Sequence, residues 1–175
     1  KYLLFDGVDD GLATGSIDFS GTDKVSAWIG LSKLSDAARG VALELGNAVT
    51  NSFRLDAPLT AATPDYLWAS TGSTAASTTI SPYAAPISNV LTGQGDIAND
   101  ICTLRVNGVL IGSGVADQGI GNYSNNPIYL GRRGGTSLPS NVRMYQNIIR
   151  GAVSNAAQVS SAERYVGSKM GIVLP

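Results

Sequence analysis

The chain has 175 residues, of which 43% are hydrophobic and only 14% charged, with a formal net charge of -1. That length suits a single domain with a full apolar core, and the absence of any basic cluster beyond Arg132-Arg133 excludes a nucleic-acid-binding footprint. Histidine is absent and Cys102 is the only cysteine, which excludes His-dependent triads, His-ligated zinc and an internal disulfide within this chain.

Taken in chain order, the predicted elements are short apolar runs separated by turn residues. Residues 2–7 read as a strand that ends in a turn at Asp6-Gly7, and residues 11–15 as a shorter strand. Residues 24–32 alternate Val25, Ala27 and Ile29 against Ser26, Trp28 and Gly30. Residues 40–46 place Val41, Leu43 and Leu45 on one face; residues 52–58 do the same with Phe53 and Leu55, leaving Arg54 and Asp56 outside. Phe5 and Trp28 are assigned to the core. In the run 65–72, Trp68 is a candidate for the outward face, opposite Leu67. A low-complexity stretch, 73–82, follows. One helical turn is open to residues 35–40.

The strongest local signal is Asn107-Gly108 between apolar flanks, which suits a two-residue type I′ hairpin. Simple pairing sets Val106 against Val109 and Leu104 against Ile111. Cys102, beside this hairpin, reads as a small buried hydrophobe. Strands at 127–133 and 142–152 complete the series, and a helix at 160–169 follows, with Ser160 or Ser161 as N-cap and Glu163 in its first turn. Turn signals at this spacing predict an all-β fold of at least ten strands in two antiparallel sheets, with a short C-terminal helix. Neither an apolar leader nor a membrane span is visible. The abrupt start on a strand reads as a single domain, 1–175, belonging to a longer polypeptide or assembly.

The ordered set of motifs resembles the concanavalin A-like lectin/glucanase superfamily, in its laminin G-like jelly-roll branch. The resemblance rests on the opening Leu3–Gly15 strand pair, on Val25–Ile29, on the hairpin at Leu104–Gly112, on Pro127–Arg133, and on Tyr145–Val166 as last strand and trailing helix. It implies a concanavalin A-like jelly-roll sandwich whose first strand, residues 2–6, lies beside residues 144–151. In style the chain is most similar to the bacterial and phage versions. The implied function is non-catalytic recognition or assembly, as a structural or attachment component of a phage virion or surface assembly. The alternative is a carbohydrate-binding module of a bacterial extracellular protein. Implied partners are a glycan or other protein subunits, a homo-oligomer included, and the implied location is the virion or the cell surface.

Chemistry was sought in three patterns. The superfamily's glucanases carry a Glu-x-Asp-x-x-Glu strand, but the only glutamates here are Glu44 and Glu163, and Gly46 stands where the second carboxylate belongs, so no enzymatic activity is expected. Asp6, Asp9 and Asp10, and separately Asp96 and Asp100, are the residues that would hold a calcium ion; turn formation accounts for them as well, and no metal or other cofactor is expected. Glycan binding needs aromatic faces and planar hydrogen-bonding groups. The richest supply is the loop before residue 127, with Tyr123 among Asn122, Asn125 and Asn126 and with Asp117 upstream; Tyr83, between Pro82 and Pro86, is the second candidate.

Overall fold

The structure is a computed structural model that describes residues 1–174. Twelve strands form two antiparallel sheets of six. Sheet A runs β1 (Leu3–Asp6), β12 (Asn141–Arg150), β3 (Lys24–Lys33), β8 (Ile87–Asp96), β9 (Ile101–Val106) and β10 (Val109–Gly114). Sheet B runs β2 (Leu12–Asp18), β11 (Asn125–Leu130), β4 (Val41–Leu45), β5 (Ser52–Asp56), β6 (Tyr66–Thr71) and β7 (Ala75–Ile80). One α-helix, α1 (Ala156–Met170), packs on the outer face of sheet A. This is a jelly-roll sandwich with a short C-terminal helix, as the motif order implies.

Alternate residues of both sheets fill the space between them. Phe53 of β5 sits at its centre, edge-on to Phe19 and Tyr123 at 5.5 and 5.4 Å and stacked on Trp68 at 6.0 Å. Trp68 therefore faces inward and is fully buried, contrary to the outward candidate assignment. Its indole lies on the backbone of β8, where a Cβ on Gly93 would come within 2.3 Å of the ring, and its Nε1 donates to the Gln94 carbonyl at 3.1 Å. Gly95 makes the same room for Ser70 and the Tyr123 hydroxyl. These glycines hide β8 from pattern reading, because glycine ordinarily weakens a strand signal. Here it marks the closest approach of the two sheets.

The hairpin forms with positive φ at Asn107 and Gly108, and Val106 pairs with Val109. A bulge after Leu110 then sets Gly112, not Ile111, opposite Leu104. The reason lies across the sandwich: a Cβ on Gly112 would meet Thr78 and Ile80 of β7 at 2.5 and 2.8 Å, so the bulge turns a glycine inward and leaves Ile111 45% exposed. The strand β7 arises from the low-complexity stretch, whose alternating burial gave no apolar run to read. Residues 35–40 form bends rather than a helical turn. The first strand does pair with the last, but through residues 141–144 rather than 144–151.

The helix starts earlier than predicted. Asn155 is its N-cap, closing a capping box with Gln158, so Ser160 and Ser161 are interior. It does not sit at an edge: Val159 and Val166 cover Trp28 and Val90 in a second apolar cluster. Glu163 is buried, bound by Arg105 Nε at 2.8 Å and Thr92 Oγ1 at 2.9 Å.

Gly93→Ala should destabilise the fold by about 2–3 kcal/mol through overpacking against Trp68. Gly21→Ala, where an added Cβ meets open space, should change stability by less than about 0.5 kcal/mol. Denaturant unfolding of both variants checks the difference.

Candidate functional site

Strand alternation sends one half of sheet B's side chains away from the core. Across its outer face the register aligns Tyr129, Glu44, Arg54, Ala69 and Ser77 in one row. Such positions were read as solvent-exposed, yet Glu44 and Asp56 are fully buried and Arg54 is mostly so. Flanking loops fold over them and supply Arg39 and Arg133.

Asp56 is well satisfied. It accepts from Arg54 Nε at 2.6 Å and from Arg39 Nη2 at 2.7 Å. Glu44 is not. Its Oε1 lies 3.5 Å from Arg133 Nε and 3.8 Å from Arg54 Nη1, longer than good hydrogen bonds, with the Gly134 backbone N–H as a further donor beside the carboxyl. Burial pushes its carboxyl up to about 7, with Asp56 adding repulsion, although Arg133 and Arg54 pull the other way. Burial also raises Asp56, against the pull of Arg54 and Arg39. Three guanidiniums against two carboxylates leave the patch one charge positive when both acids are ionised.

Beside Arg54 the face opens into a hollow of about 120 Å³, lined by Val49, Ala69, Thr71, Ala75 and Ser77 as well as by Arg54 itself. Its floor is small side chains and its wall is a guanidinium. The arrangement can accept a flat polar group, offering charge-assisted donors from Arg54. One sequence signal pointed here: Arg54 and Asp56 stand two apart on one strand, in a chain with few charges.

The structure places the sequence-predicted residues elsewhere. Tyr123 is only 2% exposed and belongs to the core, with its hydroxyl 2.7 Å from Ser70 Oγ. Burial raises its phenol above the usual range. The reading of Tyr123 as an exposed ring is thus corrected: it fills the space that Gly95 leaves open. The loop around it is stitched down. Asn122 Nδ2 donates to Ser20 O at 2.6 Å, Asn126 Nδ2 to Ser124 Oγ at 2.7 Å, and Asp117 accepts from Gly119 N. Gln118 is fully buried and bonds to the carbonyls of Asp96 and Ile101. Asn125 is exposed at the start of β11. Tyr83 is half-buried and tilted against Tyr66 at 5.5 Å.

The acidic loops are turns. Asp6 accepts from Val8 N, and Asp10 from Asp6 N; Asp9 is exposed, and its carbonyl accepts from Arg132. Asp96 caps a 3₁₀ turn and pairs with Lys24 at 3.2 Å, while Asp100 accepts from Gln118 N. Among the described residues no group of three or more metal-ligating side chains comes together. Glu44 and Glu163 lie on the outer sides of different sheets, so they cannot flank one glycosidic bond. Cys102 is buried behind Trp68, and burial pushes its thiol up to about 12.

No family model and no curated protein matches the chain. Solved structures match its fold. The binding domain of botulinum neurotoxin serotype G aligns with a TM-score of 0.69 at 15% identity, covering 94% of this chain and 42% of that one. The Ruminococcus gnavus IT-sialidase CBM40 aligns with a TM-score of 0.62 at 16% identity, covering 87% of this chain and 98% of that one; the same module is also solved bound to α2,3-sialyllactose. Domains LG4-5 of the mouse laminin α1 chain align with a TM-score of 0.60 at 14% identity, covering 88% and 47%. The chain thus spans less than half of the neurotoxin domain it matches. At these identities the likeness establishes the lectin-like jelly-roll fold.

Two outcomes follow from the geometry. Because the folded state holds the Glu44 proton more tightly than the usual carboxylate value of 4.5, stability should fall as pH rises from about 4.5 through 7. Glu44→Gln, which mimics the protonated form, should flatten that slope and melt above the parent at pH 8, as thermal scans across pH would show. Tyr123→Ala should cost about 3–5 kcal/mol of stability by opening a core cavity, measured by denaturant unfolding.

Proposed function

We propose that this domain is a non-catalytic carbohydrate-binding module of an extracellular or cell-surface protein, a single domain over residues 1–175 within a longer polypeptide. The outer face of sheet B is its glycan-contacting surface. The observation that carries this reading is the hollow beside Arg54, a cationic residue over a floor of small side chains. The fold likeness to a sialidase module solved with sialyllactose supports it. A net positive patch with a fork-shaped donor suits a glycan that ends in a carboxylate-bearing sugar, and it disfavours a divalent cation.

A second reading, a structural or attachment component of a virion or other surface assembly, is favoured by the sandwich edges. All seven residues of β2 are exposed, Leu12 and Ile17 among them, and Leu3, Leu4, Val109, Leu110 and Ile111 are exposed on β1 and β10. Sedimentation separates the two readings: an assembly component should form a defined oligomer, and a binding module should remain monomeric.

Calorimetric titration with 3′-sialyllactose and lactose tests the main reading. The sialylated sugar should bind at least about tenfold more tightly, since charge-assisted hydrogen bonds are worth about 1.5–3 kcal/mol. Arg54→Gln should abolish that preference. Ser77→Tyr, which fills the hollow from the exposed edge strand without touching the ion pairs, should weaken both sugars. Equal binding of both sugars by the parent, or no effect of Ser77→Tyr, would refute the assignment.

A further inference from the structure

We infer that the molecule carries a second ligand site, a notch at the free end of β1 that takes an uncharged sugar ring. It shares the ligand class proposed for the groove but none of its residues, and it lies at the edge of the other sheet.

The notch exists because β1 is shorter than its neighbour. Pairing begins at Leu3 opposite Met144, whereas β12 continues to Arg150. A register shift between Met144 and Gln146 breaks the ladder just where β1 gives out. The result is a cleft of about 590 Å³, with Leu3 and Met144 as its apolar base and Lys1, Tyr2, Tyr145, Gln146 and Asn147 around it.

These side chains are the kinds a sugar needs. The Tyr2 ring is 51% exposed and meets the Tyr145 ring at 5.5 Å and 58°, so the two form an open angle rather than a closed stack. Both rings are held. The Arg143 guanidinium covers Tyr2 at 5.2 Å from its centroid, and the Tyr145 hydroxyl is 3.4 Å from Ser32 Oγ. Gln146 is fixed through its Nε2, which donates to the Asn147 carbonyl at 3.0 Å. Asn147 lines the cleft, and its buried Oδ1 has no hydrogen-bond donor.

The occupant follows from those demands. It must have an apolar face for Tyr2 and Leu3 and hydroxyl groups for the Gln146 and Asn147 amides, in one compact body. A pyranose ring has both. No carboxylate lines the cleft, so nothing there would hold a cationic ligand. The cations nearby are Arg143, already engaged with Tyr2, and Lys1, which lines the cleft; a neutral sugar meets the demands of the rings and amides, so an acidic group on it is not required.

The test is an NMR titration of ¹⁵N-labelled protein with methyl β-galactoside, methyl β-glucoside and N-acetylglucosamine. At least one sugar should move the side-chain amide signals of Gln146 and Asn147. Tyr2→Ala should weaken that sugar by at least about fivefold, the size of a real interface contact. Tyr2→Phe should retain binding, because the ring face and not the hydroxyl is used. Both changes are at an exposed position, and unchanged melting confirms the fold. Arg54→Gln should leave the notch signals unaltered, so failure of the groove leaves this result readable. No movement of the Gln146 and Asn147 amides with any of the three sugars, or undiminished binding by Tyr2→Ala, would overturn the proposal.

Discussion

The spacing of the two sheets is set where Trp68 lies flat on the backbone of β8. Facing sheets usually pack about 10 Å apart, with side chains from both filling the gap. An indole can lie flat against the opposite strand only where that strand has no side chain, and Gly93 supplies the vacancy. Gly95 does the same for Ser70 and Tyr123, and Gly112 for Thr78 and Ile80. Three large rings, Phe53, Trp68 and Tyr123, thereby occupy one layer. Their demand for interior volume fixes much else. It draws in the loop that carries Tyr123 and Gln118, and it leaves recognition to the outer faces and the edges.

Those outer faces have different fates. On sheet A, Gly30 lets α1 approach until Val166 and Met170 would contact any added Cβ at 2.8 Å. The helix then buries Glu163 against Arg105 and Thr92 in a satisfied arrangement. On sheet B no helix intervenes. Loops bring Arg39 and Arg133 over Asp56 and Glu44, concentrating charge in a chain that has little of it. Burying Glu44 with its guanidinium partners no nearer than 3.5 Å opposes folding, and an apolar residue of similar size would spare that cost.

Most of the fold was legible in the sequence, and the failures are physical. Period-two alternation located β3, β4 and β5, and Asn107-Gly108 fixed the hairpin turn. The strand β8 escaped because its glycines serve a neighbour's side chain rather than its own strand. The Leu104–Ile111 pairing failed because a clash across the sandwich, invisible locally, required a bulge. Tyr123 was misplaced because its loop composition is that of a flexible segment, while the ring's destination is decided by Gly95, nearly thirty residues earlier. The groove was missed for a related reason. Its charges alternate with core residues as solvent-facing side chains do, and only the loops that cover them make them a site.

The most direct test is a crystal structure of the full chain with 3′-sialyllactose. The terminal carboxylate should lie against the Arg54 guanidinium, with the ring over Ala69 and Ser77. Sugar density on the 117–126 loop with the hollow beside Arg54 left empty would contradict it.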